Sequence, residues 1–190
     1  MAATKDKTVM RISYNAPVTL TFTLLCLAVT ILGMVSKEAM YSFFSVQPGM
    51  NMANPISWLR LLSHPLGHAG WEHVSGNLLF ILLLGPVLEE KYGSTRMLTM
   101  MLITALVTSL AVIFAFKVTL VGASGIVFML ILLSSLVNFK SGEIPLTFVL
   151  IAILFFGREI FSSLKADNIS QAAHIIGGVC GSLFGFSRTR

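Results

Sequence analysis

The sequence predicts an all-α membrane protein whose six transmembrane helices pack as one bundle. Of its 190 residues, 55% are hydrophobic and only 11% are charged, and the mean hydropathy is +0.86. Average soluble proteins are about 45–50% apolar and about 25% charged. This composition excludes a soluble globular domain, a disordered chain and a disulfide scaffold. Because so few residues remain outside the apolar segments, we expect a single domain over residues 1–190.

Stretches free of Asp, Glu, Lys and Arg define the spans, because a helix needs about 20 apolar residues to cross the hydrocarbon core. The first span is expected to begin near Pro17, since proline is favoured in the first helical turn. The uncharged run 39–59 is rich in Pro, Gly and Asn, so we expect a folded loop there and not a span. The uncharged run 144–157 is short, so we expect this span to continue through Arg158 and Glu159, near the membrane interface, to about Leu164. The six predicted spans cover residues about 17–36, 73–90, 96–116, 122–139, 144–164 and 168–187.

The basic residues predict the orientation of the bundle. Six spans put both termini on one side, and that side carries more Lys and Arg than the other, so the positive-inside rule predicts cytoplasmic termini. The long loop between the first two spans is then extracytoplasmic. The richer side carries Lys5, Lys7, Arg11, Lys91, Arg96, Lys140, Arg188 and Arg190, and the poorer side carries Lys37, Arg60, Lys117, Arg158 and Lys165.

The formal net charge of +5 raises the question of a nucleic-acid partner. The basic residues are scattered among apolar runs, which favours membrane-flanking charge and excludes nucleic acid from the expected partners. Cys26 and Cys180 both lie within apolar runs and are predicted to be small packing residues, not a disulfide.

Polar residues inside or beside the spans are the candidates for function, because lipid makes such groups costly. Three of the four histidines, His64, His68 and His73, fall within ten residues of one another, and His174 lies inside the last span. Asn77 follows His73 by four residues, which puts the two side chains on one helix face.

A serine flanked by glycines opens the fourth span, in Gly122-Ala123-Ser124-Gly125. The glycines leave the Ser124 hydroxyl uncrowded and allow another backbone to approach closely. The first turn of a helix has free N–H groups and a partial positive charge, which would help to stabilise an alkoxide or a tetrahedral adduct at this serine.

The last span carries Gly177, Gly181 and Gly185 after His174, at four-residue spacing. Such a ladder of small residues lets two helices touch backbone to backbone. The fourth and sixth spans both run from outside to inside, so Ser124 and His174 belong near the same extracytoplasmic end. If the ladder packs on the fourth span, the hydroxyl and the imidazole are expected within hydrogen-bond reach.

No aspartate completes a triad. Asp6 is on the wrong side of the membrane, and Asp167 precedes His174 by seven residues, roughly 10 Å along a helix. A Ser–His dyad therefore fits best, since a histidine near its ordinary pKa of about 6.5 can accept the serine proton at neutral pH.

Together these motifs resemble those of the rhomboid family of intramembrane serine proteases, in the six-helix form typical of bacterial members. The matching parts are G-x-S-G at 122–125, H-x-x-x-N at 73–77 and A-H-x-x-G at 173–177, with the histidine spacing and the Glu-Glu-Lys-Tyr-Gly-Ser turn at 89–94. The resemblance extends from about Pro17 to Phe186.

The resemblance implies roles for each part. Ser124 would be the nucleophile and His174 the general base, while His73, Asn77 and the Ser124 N–H would form the oxyanion hole; His68, Gly122, Gly125 and Phe128 would support them. The substrates would be transmembrane segments of other membrane proteins, cut near the extracytoplasmic face without metal or cofactor. The protein would be a multi-pass protein of a bacterial inner or cell membrane, with loop 37–71 half-buried and the loop before His174 forming a mobile cap.

Two positions depart from the family pattern. Trp58 and Arg60 are separated by Leu59, where many members have adjacent Trp-Arg. Phe128 occupies a position that is often Tyr, so a ring is available beneath His174 but no hydroxyl.

Other interpretations remain open at this point. His64, His68 and His73 suggest a metal site, but only Glu72 is near enough in sequence to join them, which favours structural hydrogen bonds for His64 and His68. His68 is also a candidate for lining a water path. A catalytically silent rhomboid-like protein that binds transmembrane clients, and a small histidine-lined metal or ion transporter, are the alternative functions.

Overall fold

A computed structural model of the chain describes residues 11–116, 118–138, 140, 143–163 and 168–187. Over these residues the fold is helical, with one isolated antiparallel bridge between Val46 and Leu120. The α-helices are α1 (Pro17–Val35), α2 (Lys37–Phe44), α3 (Pro55–Ser63), α4 (Trp71–Tyr92), α5 (Ser94–Ala111), α6 (Ser124–Ser135), α7 (Leu146–Ser163) and α8 (Asn168–Ser187). A 3₁₀ turn follows α3 at His64–Leu66, and the chain continues from α5 as a π-helical turn at Val112–Phe116.

A helix overlaps each of the six segments predicted as spans, although α6 ends at Ser135, before the predicted end of the fourth span. Pro17 is the first residue of α1, as its favoured position in a first turn predicts. Gly93, with φ +84°, separates α4 from α5, and glycine adopts this left-handed conformation at low cost.

The run 39–59 is more helical than the expected folded loop, because it contains the end of α2 and the start of α3. Asn54 caps α3 by accepting a hydrogen bond from the Ile56 N–H, and Pro55 occupies the first turn. Ser36 caps α2 in the same way through the Ala39 N–H. A capping Asn or Ser before a short helix is a sequence signal that could have located both elements.

Three helices in the described part of the chain are long and apolar enough to cross a membrane, at Pro17–Val35, Trp71–Tyr92 and Ser94–Phe116. Two further apolar helices, Ser124–Ser135 and Leu146–Gly157, are shorter. Large apolar side chains are exposed along these helices, among them Leu79, Leu83 and Leu154. Exposed apolar surface of this extent is what a lipid environment requires, so the chain is an integral membrane protein.

Helix α6 lies at the centre of the bundle, in contact with α4, α5, α7 and α8. Its side chains are buried on several faces, and Met129, Leu130, Leu132 and Leu133 have no exposed surface. A helix that is apolar all round belongs in such a central position.

The glycine ladder of α8 packs on α6, the partner that the sequence analysis considered. A Cβ atom at Gly177 would collide with the carbonyl oxygen of Gly125, and one at Gly181 with that of Met129. A Cβ at Gly185 would lie 2.5 Å from a methyl group of Leu136. The two helices therefore touch backbone to backbone, which is possible only without side chains at these positions.

Glu89 joins the far end of α4 to the start of α1. Its carboxylate accepts hydrogen bonds from the backbone N–H groups of Val18 and Thr19, both at 2.9 Å, and from the Thr19 hydroxyl at 2.8 Å. The Ser94 hydroxyl donates a fourth at 2.7 Å. A carboxylate at this place satisfies free N–H groups of the first helical turn and complements its partial positive charge.

Candidate active site

Ser124 is the first residue of α6 and is half-buried. The chain reaches it through an extended segment in which Leu120 exchanges two backbone hydrogen bonds with Val46, at 2.8 and 2.9 Å. The Gly122 N–H then donates to the carbonyl oxygen of His64 at 3.0 Å. Gly122 itself has φ +110°, so a glycine is needed to turn the chain into the helix.

His174 lies on α8, three residues before Gly177, and is half-buried. The two helices meet where Gly177 abuts Gly125, and the Ala173 carbonyl oxygen lies 3.4 Å from the position of a Cβ on Gly125. Ser124 and His174 each adjoin a residue of this contact. The structure therefore brings the serine and the histidine to the same end of the same helix pair.

The Phe128 ring packs against the His174 ring. The two ring centroids are 4.3 Å apart with an interplanar angle of 43°. On its other side Phe128 contacts Phe155 of α7, with centroids 4.4 Å apart. An aromatic ring at this position limits the rotation of the imidazole without offering it a hydroxyl.

His73 lies against residues 120–124, which lead into α6 and which we call the serine turn. A Cβ on Gly122 would be 2.6 Å from His73 Cε1 and 2.7 Å from Nε2, so only a glycine leaves room for this ring. The Ala69 N–H donates to His73 Nδ1 at 3.5 Å. Because Nδ1 accepts, the proton of the neutral ring is on Nε2, the nitrogen that faces the serine turn.

Asn77 and His68 share a buried hydrogen bond, with 3.0 Å between Asn77 Nδ2 and His68 Nε2. The same His68 nitrogen accepts from the Ala123 N–H at 3.4 Å, and His68 Nδ1 lies 3.2 Å from the Leu66 carbonyl oxygen. The rings of His68 and His73 meet edge to face, 5.0 Å apart. His68 thus contacts the segment before α4, helix α4 itself and Ala123, the residue that precedes Ser124.

His64 is buried and hydrogen-bonded, as the sequence analysis favoured. Its Nδ1 lies 3.1 Å from the Ser109 hydroxyl and 3.3 Å from the Leu61 carbonyl oxygen. Burial lowers the pKa of His64 to about 4, and burial together with the nearby His73 lowers the pKa of His68 to about 4. Both rings are therefore neutral at pH 7.

A small cavity adjoins the site on the side of α1 and α2. It has a volume of about 170 Å³ and is lined in part by Thr30, Lys37, Tyr41 and His68. Within the described residues, no three His, Cys, Asp or Glu side chains are grouped so that they could hold a metal ion.

The sequence missed one feature of the site, the way in which the segment before α4 holds the serine turn. Val46, the His64 carbonyl and His68 each bond to residues 120–123. Two other sequence expectations, Asp167 and the cap at the loop before His174, concern residues 164–167, which lie outside the described part of the chain.

Comparison with known proteins shows the family of this chain. The sequence pattern of the Rhomboid domain matches residues 55–190, which is well over half of the chain. The chain belongs to the rhomboid family. Among its relatives is Rhomboid-related protein 2 of Mus musculus, 36% identical over 143 residues, which cover 67% of this chain and 47% of the relative.

Bacterial relatives match over more of the chain. Rhomboid protease GlpG of Haemophilus influenzae is 22% identical over 178 residues, covering 92% of each protein. Rhomboid protease GlpG of Yersinia pestis is 25% identical over 182 residues, covering 94% of this chain and 65% of the relative. The chain thus spans about half the length of the mouse relative and nearly the whole of the Haemophilus one.

Proposed function

We propose that this rhomboid protein is an intramembrane serine endopeptidase that cuts transmembrane segments of other membrane proteins with a Ser124–His174 dyad. The observation that supports the proposal is the backbone contact between Gly125 and Gly177, because Ser124 precedes the first of these residues and His174 lies one helical turn before the second. The names of the GlpG relatives, which are rhomboid proteases, support the same reaction class.

The proposed reaction begins when the Ser124 hydroxyl attacks the scissile carbonyl carbon and His174 accepts the serine proton. The resulting oxyanion receives hydrogen bonds from His73 Nε2–H, from the Asn77 amide and from the Ser124 N–H at the start of α6. His174 then passes the proton to the departing amine. Water, activated by the same imidazole, hydrolyses the acyl-enzyme and restores the serine.

The proposed architecture is a single domain over residues 1–190 with six spans, formed by α1, α4, α5, α6, α7 and α8. Both termini are cytoplasmic in this proposal, and the site opens toward the extracytoplasmic side of a bacterial inner or cell membrane. A reporter that is active only in the cytoplasm, fused after Arg190, should be active. An inactive cytoplasmic reporter paired with an active extracytoplasmic one would overturn the orientation.

The test of the activity is cleavage of a model transmembrane substrate by the purified protein in detergent. Ser124→Ala and His174→Gln should each abolish cleavage while the circular dichroism spectrum stays unchanged. Ser135→Ala is the matched control, because this serine lies on the same helix and only donates to the Leu132 carbonyl, at 2.6 Å. Its activity should equal that of the unaltered chain.

The same assay separates the alternative functions. A folded chain that binds the substrate but never cuts it would favour a silent, client-binding protein. Cleavage that stops on addition of a chelator would favour a metal site at the histidines. Cleavage that survives Ser124→Ala would overturn the proposed nucleophile.

A further inference from the structure

Through one atom, His68 contacts both a member of the proposed oxyanion hole and the backbone next to the proposed nucleophile. Its Nε2 lies 3.0 Å from the Asn77 side-chain nitrogen and 3.4 Å from the backbone nitrogen of Ala123, the residue that precedes the proposed nucleophile. The ring is 2% exposed, so these bonds are not shared with bulk solvent.

The partners of His68 determine where its proton lies. The Leu66 carbonyl oxygen can only accept a hydrogen bond, so Nδ1 must donate to it. The Ala123 N–H can only donate, so Nε2 must accept. His68 is therefore a neutral ring with its proton on Nδ1, and burial, which lowers its pKa to about 4, keeps it neutral at pH 7.

This protonation state in turn orients the Asn77 amide. A bare Nε2 repels the Asn77 carbonyl oxygen and attracts its NH₂ group, so the amide cannot rotate by half a turn without losing the bond. One N–H of Asn77 is used on His68, and the second N–H of the same nitrogen is left to donate elsewhere. An amide held in the opposite orientation would present an oxygen to a developing oxyanion and would oppose the reaction.

We propose that His68 is a positioning residue, which fixes the Asn77 amide so that its second N–H is available to the reacting carbonyl, and which holds the Ala123 backbone that carries Ser124. This inference rests on the proposed function. His68 touches neither substrate nor the reacting atoms, and it acts through Asn77 and the serine turn.

Two substitutions distinguish the hydrogen-bond acceptor at Nε2 of His68 from the mere presence of a side chain at this position. In His68→Gln the side-chain oxygen reaches the position of Nε2 and can accept from Asn77 and Ala123, although the bond to Leu66 is lost. In His68→Asn the amide nitrogen reaches the position of Nδ1 and keeps the bond to Leu66, but the acceptor is lost. We expect His68→Asn to lower kcat about tenfold or more, with little change in KM, since loss of an entire oxyanion donor costs about 10²–10³. His68→Gln should stay within about threefold of the unaltered chain.

A double-mutant cycle tests the route through Asn77. In the Asn77→Ala background, adding His68→Asn should lower kcat by clearly less than it does alone, because the amide that it orients is gone and only the bond to Ala123 is still lost. His64→Asn is the control for loss of a buried histidine ring, since His64 bonds to Ser109 and Leu61 and not to Asn77. All rates are divided by the folded fraction from circular dichroism.

The outcomes distinguish this inference from the proposed function. An unaltered chain without Ser124-dependent cleavage would overturn the proposed function, and the inference with it. Cleavage that falls equally in His68→Asn and His68→Gln, or that falls as much in the Asn77→Ala background as alone, would overturn the inference and leave the protease assignment intact. Nitrogen NMR of the histidine rings gives a second readout, in which a proton on Nε2 of His68 would also overturn it.

Discussion

Gly122 combines two constraints in one residue of the serine turn. Its φ of +110° is unfavourable for any residue with a side chain, and a Cβ would lie 2.6 Å from the His73 ring. Gly49 has the backbone constraint without the steric one, because its φ is +72° and nothing lies within 4 Å of its Cβ position. The two glycines thus separate backbone strain from displacement of His73.

We expect Gly122→Ala to lower kcat about 10²-fold, since displacement of a catalytic group by 1 Å is enough for such a loss. Gly49→Ala should cost about 1–2 kcal/mol of stability through strain alone and leave kcat unchanged. Substrate cleavage and thermal unfolding in detergent would measure both effects. Equal loss of kcat in the two variants would contradict the role given to the His73 contact.

At the residue scale, the sequence located the segments of the candidate site better than the bonds between them. The motifs at 73–77, 122–125 and 173–177 lie in segments that the structure brings together, since His73 adjoins Gly122 and Gly177 adjoins Gly125. The bond of His68 to Ala123 could not be predicted, because the two residues are distant in sequence and only the packing of α6 brings them together. A hydrogen bond between distant segments leaves no local pattern in the chain.

Among the helices, the contact of α6 with α8 depends on glycine at three places. Gly177→Ala would force a methyl group onto the Gly125 carbonyl, and overpacking of this kind costs about 1–3 kcal/mol. Gly76→Ala is the matched control, because Gly76 lies on α4 with nothing within 4 Å of its Cβ position. There the change should stabilise the helix by about 0.5–1 kcal/mol.

Thermal unfolding of both glycine variants, with cleavage measured at a temperature where each is folded, checks this expectation. Gly177→Ala should also lower kcat, since the separation of α6 from α8 sets the distance between Ser124 and His174. A Gly177→Ala protein as stable and as active as the unaltered chain would show that the two helices are not held in direct contact.

The bond of Glu89 to α1 is a second element-scale feature, at the end of α4 opposite to His73. Sixteen residues separate the two along the helix, roughly 24 Å, so Glu89 should affect stability and not chemistry. Glu89→Gln removes the negative charge that four donors share and should lower the free energy of unfolding by about 2 kcal/mol or more.

The neighbouring Glu90 is exposed, so Glu90→Gln should change stability by less than about 0.5 kcal/mol. Thermal unfolding compares the two variants, and cleavage per folded molecule should be the same in both. A reduced kcat in Glu89→Gln would indicate that this end of α4 is coupled to the site.

The start of α1 could be predicted from Pro17, and the approximate extent of the long apolar helices from the scarcity of charged residues along them. Helices α2 and α3 are not among these long apolar helices. Their residues and the residues between them are mixed in polarity and include Pro, Gly and Asn. The two helices are held by contacts with each other, such as the hydrogen bond that the Arg60 guanidinium of α3 donates to the Ser42 carbonyl of α2 at 2.5 Å. For this reason composition alone predicted a loop for residues 39–59.

In the whole molecule, the segment between α1 and α4 (residues 36–70) holds the serine turn in place through hydrogen bonds, and we call this segment the brace. Val46, the His64 carbonyl and the His68 ring each bond to residues 120–123, and the Ser109 hydroxyl ties the same segment to α5 by a 2.8 Å bond to the Leu61 carbonyl. Two buried histidines lie within this brace, so its stability depends on their charge.

The dependence on pH has a definite sign. The pKa values of His64 and His68 are lowered by burial from 6.5 to about 4, so the unfolded chain binds more protons than the folded chain between these values. The contribution of these two histidines to stability should therefore be complete above about pH 6.5 and should fall as the pH drops from 6.5 toward 4. Thermal unfolding in detergent across this range measures it. His64→Gln and His68→Gln should each reduce the slope, because each removes one of the two titrating rings. A slope that both substitutions leave unchanged would mean that other groups take up the protons and that the brace is not held together by neutral histidines.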